Sequence, residues 1–275
     1  MLKRVLKRMC HVLLCCCGRQ EELEQPVESN GGPAATPLAF AMHELIGKGS
    51  NTSVYRVQMS DGSFRALRRG ACPSVSVQEA AVVRALTPYV DANCLGNPQI
   101  GSSGIICDLV EYDLLDWILQ ANPTMANRDL VAEKVKTLVD EIHTAGCTFH
   151  DLKLENLGIR PGTMEIQLLD YNAVSVGRWN GTGGTWYAAG EWAAIMQRAP
   201  YDHRGVGDRF RLGVLLFGLL FDRHVPHIES NSAIKESYRV RYGILQDHVA
   251  RHTVRRPDLT RAITELLGCP ITLKG

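Results

Sequence analysis

The chain has 275 residues, a formal net charge of +1 and a 45% apolar fraction. That length allows one large domain or a small two-lobed one with a real core, and near-neutrality excludes a global field that would recruit nucleic acid or an acidic partner. The nine cysteines are an odd number: Cys10, Cys15, Cys16 and Cys17 crowd the N-terminus, while Cys72, Cys94, Cys107, Cys147 and Cys269 are scattered, mostly in apolar runs. This usage reads as a reduced, cytosol-facing protein without a disulfide framework, and no Cys/His spacing suggests zinc.

In chain order, residues 1–24 form a distinct leader. Leu2, Val5, Leu6, Met9, Leu13 and Cys16 recur at helical spacing, with Lys3, Arg4, Lys7 and Arg8 largely elsewhere on the wheel. Such a helix can lie on an anionic membrane, each basic residue contributing about 1 kcal/mol near the surface. Cys15, Cys16 and Cys17 beside it are candidate S-palmitoylation sites, and two acyl chains plus a basic patch suffice for stable anchoring. Leu2 excludes N-myristoylation. Two other readings stay open: a signal peptide with Met9–Cys17 as its apolar region, or a disordered leader with no membrane role.

Residues 25–38, with Pro26, Gly31, Gly32, Pro33 and Pro37, read as a flexible linker. The folded domain is expected over 39–267, with a tail over 268–275. Within it, strand-like stretches with β-branched residues lie around Ser53–Val57, Gly104–Val110 and Ile166–Leu169. Val131, Val135, Leu138, Val139 and Ile142 make a one-faced helical stripe ended by Gly146. Phe210–Phe221 is apolar nearly all round, which predicts a buried helix too short to span a membrane. No apolar run reaches the roughly 18 residues a span needs. Strands come first and helices later, the order of an α+β fold with a sheet-rich part and a larger helical part.

Two stretches carry chemistry. Phe149-His150-Asp151-Leu152-Lys153-Leu154-Glu155-Asn156 is followed by Leu168-Leu169-Asp170-Tyr171-Asn172. An Asp, a Lys two residues on, an Asn five residues on and a second Asp after an apolar run is the spacing of a phosphoryl-transfer site. One carboxylate there takes the substrate hydroxyl's proton, and the Asn and second Asp hold magnesium. Upstream, Ile46-Gly47-Lys48-Gly49-Ser50-Asn51-Thr52-Ser53-Val54-Tyr55 offers glycines at which backbone N–H groups can approach phosphate oxygens without an obstructing Cβ.

On these residues the chain resembles the eukaryotic-type protein kinases, as a small divergent serine/threonine member of viral- or effector-like style. The resemblance covers about residues 43–267. It implies a two-lobed fold, with a small antiparallel β-sheet N-lobe carrying one main helix and a larger, mainly helical C-lobe. ATP and Mg2+ are the implied cofactors and a protein hydroxyl the acceptor. Asp151 would be the proton acceptor, Lys153 would neutralise the transferred group, and Asn156 and Asp170 would hold the metal. Gly47, Gly49 and Val54 belong to the implied nucleotide site, although Thr52 replaces the third glycine. Ala66 and Arg68 of Phe64-Arg65-Ala66-Leu67-Arg68 fall where the family carries Val-Ala-Ile-Lys. Arginine for lysine is not conservative at a tightly shaped site, and Lys48 and Arg69 are nearby candidates to compensate.

Glu79 opens a helical stretch (Ala80, Val83, Leu86) and matches the glutamate that pairs with this cation. Glu111 and Tyr112, in Cys107-Asp108-Leu109-Val110-Glu111-Tyr112, match the hinge that hydrogen-bonds adenine through backbone. Asp113 falls where an acidic residue often binds ribose. His150 replaces the arginine that binds an activation-loop phosphate in many relatives. Histidine is largely neutral at pH 7, so activity is not expected to require that phosphate. Phe149 is expected in the core. Tyr171 fills the slot of a phenylalanine, and Asn172 replaces a glycine because it tolerates left-handed geometry. Gly184-Thr185-Trp186-Tyr187-Ala188-Ala189-Gly190-Glu191 resembles the substrate-binding end of an activation segment, with Thr185 reaching Asp151 and Lys153.

Asp208 is expected to support the catalytic loop through backbone N–H bonds, and Arg256 to partner Glu191. These last features favour a protein substrate over small-molecule phosphotransfer. The alternative is a pseudokinase serving as a membrane-tethered scaffold, which Arg68 and Thr52 argue for. The expected partners are a protein substrate and an anionic membrane surface, with no nucleic acid. The expected location is cytoplasmic, peripheral to a membrane through the leader. Substrate identity and oligomeric state stay open.

Overall fold

The structure is a computed structural model that describes residues 40–49, 51–177, 191, 194, 197–220 and 265. The leader, the linker and the C-terminal tail lie outside them. The described residues divide into two compact units: those of Met1–Val77 with Pro98–Leu109, and those of Gln78–Asn97 with Val110–Gly275.

The first unit is built on a five-stranded antiparallel sheet, in the order β1-β2-β3-β5-β4. Its strands are β1 (Phe40–Lys48), β2 (Thr52–Met59), β3 (Phe64–Gly70), β4 (Gln99–Gly101) and β5 (Gly104–Asp108). Side chains alternate across a strand, so the register sorts residues onto two faces. One face gathers Val57, Leu67 and Ile106 into an apolar cluster, with Phe40, Tyr55 and Met59 packed against it. Register shifts in β1 between Met42 and Glu44 and between Leu45 and Gly47 bend that strand and curl the sheet. Gly104, at φ +133°, turns β4 into β5. A Cβ there would run into the carbonyl oxygen of Arg68, so only glycine lets the turn sit against β3.

Helix α1 (Pro73–Leu86) begins six residues before Glu79, so Glu79 lies inside the helix instead of opening it. Proline in the first turn loses no intrahelical hydrogen bond, which makes Pro73 the start signal that the expected boundary overlooked. Glu79, Ala80, Val82, Val83 and Leu86 are buried.

In the second unit, α2 (Met125–Thr144) is capped by Thr124, whose hydroxyl accepts the Asn127 N–H at 3.2 Å. The stripe Val131, Val135, Leu138, Val139 and Ile142 is buried, as its spacing predicts. The chain leaves through Gly146 at φ +74°. Two short sheets follow. β7 (Cys147–Thr148) pairs with β10 (Ser175–Val176), and β8 (Leu157–Arg160) lies between β6 (Tyr112–Asp113) and β9 (Glu165–Leu168). A π-helical turn, His203–Asp208, runs into α3 (Arg209–Leu220), buried from Phe210 onward. The fold is therefore mixed α+β, a curled antiparallel sheet with several helices. Among the described residues no helix is long and apolar enough to cross a membrane.

Candidate functional site

The loop between β7 and β8 brings Asp151, Lys153 and Asn156 together. Leu152 and Leu154 turn into the core, so the alternating residues Asp151 and Lys153 are left on the other side. A single 3-10 turn, Leu154–Asn156, then folds the chain back. Lys153 Nζ lies 3.3 Å from Asp151 Oδ2. Asn156 Nδ2 donates to the Asp151 carbonyl at 2.7 Å and to Asp151 Oδ2 at 3.1 Å. With its N–H groups directed at Asp151, the Asn156 amide presents Oδ1 as its acceptor.

Asp170 follows β9 and is tied to the same loop from both sides. The Leu169 N–H donates to the Asn156 carbonyl at 2.9 Å, and the Asp151 N–H to the Ala173 carbonyl at 3.3 Å. Asp170 Oδ1 accepts the Asn172 N–H at 3.1 Å and so caps the 3-10 turn Tyr171–Ala173. A carboxylate and a carboxamide oxygen are hard donors. They suit magnesium, which takes one or two carboxylates and completes its shell with water and phosphate oxygens.

Beneath the loop lies buried charge. Asp208, fully buried, accepts the Phe149 N–H on Oδ2 at 2.7 Å, the backbone support expected of it. The same oxygen meets His143 Nε2 at 2.9 Å, while Oδ1 accepts from Arg211 Nη1 at 3.1 Å. Glu191 Oε1 accepts from Arg211 Nη2 at 2.7 Å and meets His203 Nδ1 at 2.9 Å. Arg256, its expected partner, and residues 184–190 with Thr185 lie outside the described residues.

The neighbours that depart from the kinase pattern each have their own contacts. Phe149 is fully buried, as expected. Tyr171 is buried too, and its hydroxyl donates to the Leu95 carbonyl at 2.6 Å. Asn172 does not adopt left-handed geometry; it sits in the 3-10 turn and its Nδ2 donates to Glu79 Oε1 at 2.8 Å. The residue there makes a side-chain bond that glycine could not. His150 Nδ1 lies 3.0 Å from Ser175 Oγ, and burial pushes the imidazole pKa down to about 4. It is neutral at pH 7, in line with the sequence.

The nucleotide-binding candidates of the first unit share one sheet face. Gly47 pairs with Val54, Val54 with Arg68 and Arg68 with Ile105, a row across four strands. Ala66, opposite Arg56 and Cys107, stands on the same face one pair along. Ala66, Arg68, Ile105 and Cys107 are buried. The Gly49 N–H closes the β1–β2 turn on the Thr52 carbonyl at 2.8 Å. Among the described residues, a Cβ on Gly49 would meet nothing closer than that carbonyl at 3.5 Å, so their packing does not demand glycine. Arg69 Nε donates to the Ser103 carbonyl at 3.3 Å, which directs it toward the β4–β5 turn.

Of the hinge candidates, Glu111 stands by the Tyr112 hydroxyl and raises its pKa. Tyr112 and Asp113 form β6, opposite Ile159 and Gly158. Asp113 Oδ1 accepts the Asp116 N–H at 2.7 Å and caps the helical turn Leu114–Asp116. Burial, with Asp116 and Glu155 close by, lifts its pKa to about 7. The carboxylate expected at a ribose thus has a capping task in the fold.

Arg211, His143 and His203 were not singled out from the sequence. Arg211 left a signal, because a charge inside an otherwise apolar helix requires a buried carboxylate partner. Neither a scan against protein-family models nor a search of curated proteins finds a match to the chain.

Proposed function

We propose that this protein is an ATP- and Mg2+-dependent serine/threonine protein kinase of divergent, two-lobed kinase-like fold. The observation that carries the reading is the convergence of Lys153 and Asn156 on Asp151 Oδ2, in a loop whose backbone hangs from buried Asp208. Asp151 would receive the proton of the acceptor hydroxyl, and Lys153 would offset charge on the transferred group. Asn156 Oδ1 and Asp170 would hold magnesium, whose charge stabilises the separating oxygens. The phosphates would take backbone N–H groups at Gly47 and Gly49. Glycine at 49, which the described residues around it do not require, fits a close approach by something else. Replacing Asp170 with Ala removes the one carboxylate of the metal pair, so magnesium-dependent ATP turnover should be lost. Unchanged turnover would remove Asp170 from the site.

Buried Arg68 and Thr52 favour a second reading, a pseudokinase that binds partners without transferring phosphate. Nucleotide binding without transfer would select it. In either case the basic leader with Cys15, Cys16 and Cys17 would hold the protein on a cytoplasmic membrane face. Changing the three cysteines to Ser should release it to the soluble fraction, and an unchanged distribution would end the anchor proposal.

A further inference from the structure

Arg211 stands, fully buried, in a helix whose other residues from Phe210 to Leu220 are apolar or glycine. One prong of its guanidinium holds Glu191 at 2.7 Å and another holds Asp208 at 3.1 Å. The fork is a rigid plane, so it sets the two carboxylates in fixed relation to each other. From Asp208 the connection runs to the Phe149 N–H at 2.7 Å, two residues before Asp151. From Glu191 it runs to His203 at 2.9 Å. Gly207 leaves the room: a Cβ there would lie 2.6 Å from Glu191 Oε1 and 2.8 Å from Arg211 Nη1. A buried ion pair is a poor source of net stability, and its best-attested use is to specify an arrangement.

We infer that Arg211 is a positioning residue that couples Glu191 to the catalytic loop, so that a change at Glu191 reaches Phe149 and the adjoining Asp151. The inference rests on the kinase reading for its functional meaning, but the coupling itself can be measured without nucleotide. The resemblance assigns the bracing of Glu191 to Arg256, far along the chain. Arg211 instead ties Glu191 to the residue three positions before it, within one continuous set of bonds.

The test is hydrogen–deuterium exchange at the Phe149 amide of the full chain, referred to the Val135 amide in the core of α2. Glu191→Gln keeps the side-chain shape and removes the charge. It should speed Phe149 exchange by about fivefold or more relative to Val135. In an Arg211→Met background the same change should add nothing. Where Arg211→Met does not fold, Arg211→Lys serves, because a single ammonium cannot reproduce the fork to both carboxylates. Unchanged Phe149 exchange in Glu191→Gln, or an equal effect with and without Arg211, would overturn the inference. Phosphate transfer to histone, with labelled ATP, is the second readout: Glu191→Gln should lower kcat and leave the KM for ATP unchanged. Coupling without any transfer would defeat the kinase reading alone. Transfer without coupling would defeat this inference alone.

Discussion

The sheet face that carries Arg68 and the loop that carries Asp151 are held in place by different means. Val54, Ala66 and Arg68 owe their common face to strand register, in which main-chain hydrogen bonds set each position whatever the side chain. Asp151, Asn156 and Asp170 are held, beyond the main-chain bonds of the loop, by bonds that their own side chains make. A register-held position can change identity without losing its place, and there the departures from the kinase pattern alter charge and shape while the frame stays. A bonded position cannot, and there the Asp, Lys, Asn and second Asp all match that pattern. Where residues beside the loop differ from that pattern, each makes a side-chain bond of its own: His150 to Ser175, Tyr171 to Leu95 and Asn172 to Glu79.

The comparison breaks if the loop tolerates loss of its support. Asp208→Ala strips the Phe149 N–H of its acceptor and leaves Arg211 with one carboxylate fewer. Breaking a buried charge pair costs about 3–5 kcal/mol, and urea unfolding should show a loss of that size. A loss near that of an exposed substitution would mean that the loop does not depend on this charge.

His150 gives the next effect, and its sign follows from the depressed pKa. Between the ordinary histidine value and about 4 the unfolded chain binds the proton and the folded chain does not. Stability should therefore fall as pH drops through that window, by up to ~3 kcal/mol in all. His150→Asn should remove that slope from urea unfolding measured across the window. Asp113, raised to about 7, acts oppositely: the folded state keeps a proton that the unfolded chain has released, so its contribution is lost as pH rises toward 7. Asp113→Asn should remove this opposite slope, and identical slopes in both variants and the parent would contradict both assignments.

Gly104→Ala probes the register-held face. A side chain at that positive φ strains the backbone by about 1–3 kcal/mol, and its Cβ pushes on the Arg68 carbonyl. Thermal unfolding should drop accordingly, while wild-type stability would show that the turn can move away from β3. The smallest effect is Arg68→Lys. It should raise phosphate transfer by about threefold to tenfold, or ~1 kcal/mol in the barrier. A fall would show that the site has been rebuilt around arginine.

Much of the frame was legible because period and spacing survive burial. The stripe from Val131 to Ile142 and the apolar run after Phe210 became α2 and α3, and the expected strands lie within or close to β2, β5 and β9. The strand over Gly104–Val110 ends sooner, at Asp108. The Asp-Lys-Asn spacing was legible because those residues sit in one short loop, where sequence distance approximates spatial distance. Long-range pairing was not. Nothing local announces that Asn172 will meet Glu79, or that Asp113 will spend an oxygen on the Asp116 N–H. Arg211 is the instructive omission: its apolar neighbours implied a partner, but not that one fork would take both Glu191 and Asp208.

The central claim is that the Asp151 loop transfers phosphate. Its most direct test is incorporation of label from radiolabelled ATP with magnesium, into histone and into the protein itself, comparing wild type with Asp151→Ala. The account predicts label on serine or threonine in the wild type and a loss of about 10²–10⁴-fold in the variant, the usual share of a positioned acid–base group. Equal labelling by the two proteins, or none by the wild type while it binds ATP, would contradict it.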